Sequence, residues 1–317
     1  MDARRARPLL GAEGPAAVRV NGRWVAIVNP AAGGRRPAGP AASRWVDDLA
    51  GIADAVVTTE DRGHATHLTS TFEGADGFIV VGGDGTLFDV LQSLCRNRQE
   101  VLIVPTGRGN SLARDLDIRS PEAALTAAVS GRSVTIDLLA VSLTFEDGQR
   151  WQGVSASTLA LGYPAGVAHL ATSRWRWSGR HCYAIAAPLV RPSAMGMQVS
   201  YDGGPSAWRS RTGLIISNTR HIGPFEAFPE AVLNDGLCDV MELQAGWCVQ
   251  NLHNLSVLTG WHRFRPAAVR RAHTIGVDMD VPAVVKLDGE LRPGVRRVEV
   301  SVLPAALECR IPGGAHE

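Results

Sequence analysis

The sequence predicts an α/β fold: an N-terminal parallel-sheet domain, then a C-terminal domain of largely antiparallel β-structure. Three observations predict it. Short apolar runs alternate with helical patterns as far as about residue 139. Three of those runs end in glycine-rich turns. Beyond that point apolar and polar residues alternate with period two, interrupted by Asp-Gly turns. Strands alternating with helices imply a parallel sheet covered on both faces, whereas period-two runs joined by tight turns imply hairpins.

The elements follow in order. Residues 1–21, rich in Arg, Ala and Gly, read as a tail. "RWVAIVNP" from Arg23 to Pro30 is a buried strand and "RWVDDLAGI" a helix. "ADAVVTTE" and "GHATHLTSTF" repeat the strand–helix pair. "GFIVVGG" is the third strand, with a helix starting near Thr86, and "EVLIVPTG" is the fourth. In "SPEAALTAAVSG" Ser120 stands as N-cap, Pro121 at the first helical position and Gly131 at the stop. The first domain therefore spans residues 22–139. In residues 140–317 a hairpin turns at Asp147–Gly148, and "MGMQVSYDGGPSAWRSRTGLIISNT" turns at Asp202–Gly204. Helices are expected near "AIAAPLVRP" and "WCVQNLHNLSVLTGWH", with more β-structure from Ala283 onward. The final strands could return to the first domain.

Composition excludes several classes. With 45% hydrophobic and 20% charged residues, the chain has a globular profile. A net charge of +1 offers no global basic field for nucleic acid. Lys286 is the single lysine among 32 basic residues, and it lies in neither a Walker nor a protein-kinase context. The cysteines at 95, 182, 238, 248 and 309 form no C-x-x-C pair, so they read as reduced interior thiols of a cytoplasmic protein. The nine histidines show no metal spacing. No run reaches the ~20 apolar residues of a membrane span. A homodimer is left open.

Chemistry concentrates at three strand ends: "NPAAGG" (Asn29–Gly34), "GGDGT" (Gly82–Thr86) and "PTGRGN" (Pro105–Asn110). Parallel strands deliver their C-terminal ends to one edge, where ligands bind. Glycines let backbone approach a phosphate, and the next helix points its amides and dipole at the anion. Asp84 stands in the middle turn, either as a turn residue bonding local backbone or as an acid beside a metal or a transferred group. No G-x-G-x-x-G follows a strand, which disfavours a nicotinamide oxidoreductase.

From about Trp24 to Pro312 these motifs resemble the diacylglycerol kinase catalytic-domain family, which includes bacterial soluble lipid kinases and the sphingosine and ceramide kinases. "VVGGDGTLFDVLQSL" carries the most specific likeness, with "IVNPAAGG", "VPTGRGNSLARDL", "FPEAVLNDGLCDV" and "VVKLDGEL" beside it. The resemblance implies the fold shared by NAD kinases and diacylglycerol kinases, ATP and Mg2+ as cofactors, and a lipid substrate met at a membrane surface. It places Asn29, Pro30, Gly33, Thr59, Gly82, Gly83, Gly85, Thr86, Gly107, Arg108 and Asn110 around the nucleotide. It makes Asp84 a neighbour of magnesium or of the transferred group, and Asp235 a magnesium ligand, aided by the carbonyls of Val232 and Leu237. It makes Glu290 the general base, with Asp288 in support. The chain departs from the family pattern at Arg108, Ser111 and Pro164, and at Pro224 and Phe225.

Read without the resemblance, "LDGE" is equally a plain hairpin turn. "SRWRWSGRH", with Trp175 and Trp177, is either a membrane-interface stretch or a packed surface helix–loop, and Trp247 and Trp261 are further candidate anchors. The competing functions are an NAD kinase-like enzyme, whose family shares the G-G-D-G-T turn, and a non-catalytic nucleotide- or lipid-binding protein on the same scaffold. The expected location is cytoplasmic with peripheral membrane association.

Overall fold

The structure, a computed structural model, describes residues 21–34, 46–94, 99–174, 182–243 and 269–313. The chain forms two compact units. One holds the described residues up to Thr135 and from Leu307 onward; the other is Ile136–Ala306.

The first unit is built on a parallel sheet. Strands β1 (Trp24–Val28), β2 (Ala55–Thr58), β3 (Gly77–Gly82) and β4 (Glu100–Pro105) lie in the order β4-β3-β1-β2. Near its end the last strand of the chain adds Glu308–Arg310 in parallel to Glu100–Leu102. β1 and β3 are buried along their whole length, as continuous apolar runs covered on both faces should be. Trp24 pairs with Gly77, and a Cβ on that glycine would stand 2.7 Å from the indole ring. The tryptophan therefore lies flat over backbone, and the Arg310 guanidinium sits 5.6 Å from its ring.

Helices follow the strands. His64–Thr71 follows β2 and Asp84–Leu94 follows β3. Pro121–Ser130 begins as its caps predict, with Ser120 Oγ accepting the Ala123 N–H at 3.2 Å. Residues 46–50 are helical within the expected "RWVDDLAGI" segment. A short helix, Ser111–Asp115, was not foreseen in the sequence.

The second unit is antiparallel. β5 (Arg132–Phe145), which enters it at Ile136, pairs with β6 (Arg150–Ser155) across the expected Asp147–Gly148 turn. β7 (Thr158–Gly162) pairs with both β10 (Gly213–Ser217) and β15 (Thr274–Leu287). β13 (Cys238–Leu243) joins β10 to β14 (Val269–Ala272), and β15 turns into β16 (Glu290–Ile311). The second expected hairpin is divided. β8 (Met195–Tyr201) pairs with β9 (Trp208–Arg211), but β10 leaves for the β7–β13 ladder. Just after the break at Thr212 the backbone packs closely: a Cβ on Gly213 would meet Pro164 Cδ at 2.5 Å and the Leu161 carbonyl oxygen at 2.7 Å.

A helix at Tyr163–Arg174, also unforeseen, packs its Tyr163, Val167 and Ala171 with Cys182, Phe228, Met241 and Leu243. The "AIAAPLVRP" helix is found as Cys182–Ala186 with a 3-10 turn at Ala187–Leu189. The "WCVQNLHNLSVLTGWH" segment, with Trp247 and Trp261, and most of "SRWRWSGRH", with Trp175 and Trp177, lie outside the described residues. Cys182, Cys238 and Cys309 are buried; burial pushes the Cys238 thiol up to about 12. No helix among the described residues is long and apolar enough to cross a membrane.

Candidate functional site

The three glycine turns of the first unit leave neighbouring parallel strands, and hydrogen bonds join them. Asn29, at the end of β1, donates its Nδ2 to Thr86 Oγ1 at 2.8 Å and accepts the Ala31 N–H at 2.9 Å. Its backbone N–H donates to the Val81 carbonyl at 2.9 Å. Gly33 has φ of +75°, and a Cβ there would stand 2.7 Å from the Thr106 carbonyl oxygen. Thr106 and Gly107 both donate their N–H groups to the Gly82 carbonyl. Pro30 and Ala31 continue the first turn, and buried Thr59 donates its N–H to the Val28 carbonyl at 2.9 Å.

Asp84 opens the Asp84–Leu94 helix, two residues earlier than the sequence suggested, followed by Gly85 and Thr86 in its first turn. An acid at this end suits the helix dipole. Its Oδ1 accepts the Ser111 N–H at 2.8 Å, tying the second turn to the third. Asn110 adopts φ of +53° and donates its Nδ2 to the Gly107 carbonyl at 2.9 Å. Arg108 is half-buried between them. Thr106 Oγ1 and Asn110 Oδ1 are buried with no hydrogen-bond partner. Buried polar atoms are nearly always paired, so these two suit a bound polar group. A nucleotide fits this edge: backbone close enough to exclude side chains, a helix N-terminus and two unpaired buried polar atoms.

In the second unit, "LDGE" forms the two-residue turn between β15 and β16, with Leu287 paired to Glu290. Asp288 is buried at φ +44°. Its carboxylate accepts the N–H groups of Ala156, Ser157 and Thr158 at 3.3, 3.2 and 3.0 Å. Its own N–H donates to the Thr158 carbonyl at 2.9 Å, and Lys286 Nζ donates to its carbonyl oxygen. Asp288 thus clamps the backbone of Ala156, Ser157 and Thr158. Glu290, half-buried, stands two residues on. Behind the clamp lie small hydroxyls: Thr158 Oγ1 is 3.3 Å from Ser217 Oγ, which donates to the Thr219 carbonyl at 2.7 Å. Ser155 Oγ and Asn218 Oδ1 are buried there without partners. These residues were not singled out in the sequence, where the only signal was small polar residues at strand ends in "VSAST" and "ISNT".

Asp235 occupies a turn between Leu233 and Leu237 in which Gly236 has φ of +75°. Asp235 Oδ1 accepts the Leu237 N–H at 3.1 Å, and Oδ2 is ion-paired with Arg271. Arg271 also lies 3.6 Å from Asp239. Burial pushes the Asp239 carboxyl up to about 6, against the pull of Arg271. Buried Asp137, from β5, accepts the Gly236 N–H at 2.7 Å and the Ala305 N–H at 2.8 Å. A carboxylate and two carbonyls, those of Val232 and Leu237, are the oxygen donors a hard cation takes. Both carboxylate oxygens are engaged, however, one of them by a cation of the chain itself. A resident magnesium ion does not fit the turn as it is arranged.

The remaining departures have structural roles. Pro164 opens the Tyr163–Arg174 helix beside Gly213. Pro224 sits in the turn of the small β11 (His221–Ile222) and β12 (Phe225–Glu226) hairpin, and the Phe225 ring meets Tyr183 edge-on at 6.1 Å.

Comparison with known proteins follows the same division. Residues 23–141 match the family model described as diacylglycerol kinase catalytic domain. Residues 157–310 match the YegS C-terminal NAD kinase beta sandwich-like domain. A diacylglycerol kinase of Mycobacterium tuberculosis is 31% identical over 264 residues, covering 80% of this chain and 82% of its own. A "Probable lipid kinase YegS-like" protein of Pseudomonas aeruginosa is 32% identical over 284 residues, covering 84% and 87%. The crystal structure of a diacylglycerol kinase from Bacillus anthracis superposes with a TM-score of 0.70 at 20% identity, covering 91% of this chain and 96% of that one.

Proposed function

The chain belongs to the diacylglycerol kinase catalytic-domain family of lipid kinases, and on that premise we propose that it transfers the γ-phosphoryl group of ATP to the hydroxyl of diacylglycerol or a related lipid alcohol. The observation that carries the ATP half is the interlocked set of turns around Gly83, Gly107 and Asn110, with two unpaired buried polar atoms among them.

Phosphoryl transfer asks the protein for positioning, charge neutralisation and a base for the incoming hydroxyl. Positioning falls to the amides of the three turns and to the start of the Asp84–Leu94 helix. Asn29, Thr86, Gly82 and Asp84 hold those turns in register, and Gly85 lies in the first turn of that helix. Neutralisation falls in part to Arg108, whose guanidinium suits phosphate oxygens. Magnesium enters with ATP as part of the substrate and supplies charge neutralisation there. Glu290 takes the proton of the lipid hydroxyl, and Asp288, fixed by three amides, sets the direction in which the turn presents it.

The lipid is met at a membrane surface, which gives the protein a peripheral association with the membrane from the cytoplasmic side. Ile185 and Leu189, exposed apolar residues that follow the Trp- and Arg-rich stretch in sequence, suit such a surface. The test is a screen of lipid vesicles and of NAD against labelled ATP and magnesium. Label transferred to a lipid alcohol and not to NAD is the expected result. Label on NAD alone overturns the reading.

A further inference from the structure

We propose that the Arg271 guanidinium takes the place of a divalent cation at the Leu233–Leu237 turn, so that this chain holds the turn closed with its own positive charge. The inference concerns the turn alone and is independent of the kinase reading.

The argument begins with charge. Glu230, Asp235 and Asp239 come from one short segment, and Asp137 reaches the same turn from β5. Such a concentration of carboxylates needs a compensating cation. The strand register supplies one: Arg271 on β14 stands directly opposite Asp239 on β13. One arm of its guanidinium pairs with Asp235 Oδ2, and its Nε lies 3.6 Å from Asp239 Oδ1. A planar, permanently charged fork bridging two carboxylates performs the joining that a small oxygen-seeking ion performs.

The turn also has no need of a metal to shape its backbone. Gly236 supplies the left-handed conformation, at φ +75°. Asp137 grips both sides of it, accepting the Gly236 N–H at 2.7 Å and donating its own N–H to the Leu233 carbonyl at 2.7 Å. His273 Nδ1 lies 2.7 Å from the Gly236 carbonyl oxygen. With Leu237 N–H on the other Asp235 oxygen, an added divalent ion would have to displace Arg271 or endure its repulsion.

The experiment uses the full chain without nucleotide, with Mn2+ binding counted by electron paramagnetic resonance and melting followed with and without EDTA. Wild type and Asp235→Asn should bind the same number of Mn2+ ions, and EDTA should leave wild-type melting within about 1 °C. Arg271→Met should melt lower by about 3 °C or more and gain one Mn2+ site. Millimolar Mg2+ should restore its melting point, and Asp235→Asn added to it should remove the new site. Arg271→Lys, which keeps a charge at the position, should gain no site. The proposal is overturned if Asp235→Asn costs the wild type a bound ion, if EDTA lowers wild-type melting, or if Arg271→Met gains no site. Should Arg271→Met fail to fold, the comparison of wild type with Asp235→Asn decides alone.

Discussion

Gly83 and Gly107 pack backbone against backbone. A Cβ built on Gly107 would stand 2.4 Å from the Gly83 Cα and 2.6 Å from Asn110 Oδ1. Two turns that are 24 residues apart in the chain therefore share one surface, and neither can accept a side chain without moving the other.

Gly107→Ala should accordingly damage binding more than folding. Overpacking of this kind costs about 1–3 kcal/mol, which the turns can relieve by separating. Separation moves the amides proposed to hold the phosphates, so affinity for a fluorescent ATP analogue should fall about tenfold or more. Unaltered affinity in a folded Gly107→Ala variant would remove these turns from the nucleotide site.

Asn29 links the first turn to the second through Thr86 Oγ1 at 2.8 Å. Asn29→Ala loses that bond and the one from the Ala31 N–H, each contributing about 0.5–1.5 kcal/mol. The expected result is a rise of several-fold in KM for ATP with KM for the lipid unchanged. Steady-state kinetics with each substrate varied in turn distinguishes this from general damage, which would move both.

The Arg211–Glu242 ion pair inside the second unit makes a prediction about stability and pH. Arg211 is 5% exposed and also donates to the Met197 carbonyl at 3.0 Å; Glu242 accepts the Tyr201 hydroxyl as well. Arg211→Ala strands the partly buried Glu242 carboxylate and should cost about 3 kcal/mol. Burial raises the Glu242 pKa, but the Tyr201 hydroxyl and the Arg211 guanidinium outweigh it and hold the carboxyl below its ordinary value. A depressed folded pKa contributes stability above the unfolded value, lost as pH falls through the folded one. Urea unfolding should therefore show the Glu242→Gln deficit at pH 7 shrinking on acidification below about pH 4. A deficit that grows with acid would contradict the pairing.

What could be read from the sequence was what is local. Glycines and an acid at strand ends are visible because turn chemistry acts over four or five residues, and the Ser120 cap is visible for the same reason. The change from helix-and-strand alternation to period two likewise announces the antiparallel half. Partnerships across long separations were not legible. Asp137 and Gly236 are 99 positions apart, and Asp84 and Ser111 are 27 apart. Arg271 was hidden among 32 basic residues, where composition made every arginine look ordinary. The Tyr163–Arg174 helix was missed because Gly162, Pro164 and Gly166 imitate a loop, and its apolar face is mostly alanine, too small to mark a period.

Asp288 and Glu290 share one turn but should fail in different ways. Asp288 spends its carboxylate on the amides of Ala156, Ser157 and Thr158. Removing a charged acceptor from buried donors costs about 1–3 kcal/mol or more, so Asp288→Ala should lower the melting temperature and lipid phosphorylation together. Asp288→Asn, which keeps one carbonyl oxygen for the same donors, should recover part of both. Glu290→Gln keeps the size and hydrogen-bonding reach of the side chain but cannot take a proton. It should melt like the wild type, bind the fluorescent ATP analogue with unchanged affinity, and lose about 100-fold or more in kcat on lipid. A Glu290→Gln enzyme that retains its kcat would show that the proton of the lipid hydroxyl goes elsewhere, while an Asp288→Ala enzyme that melts normally would show that the three amide bonds do not hold the turn.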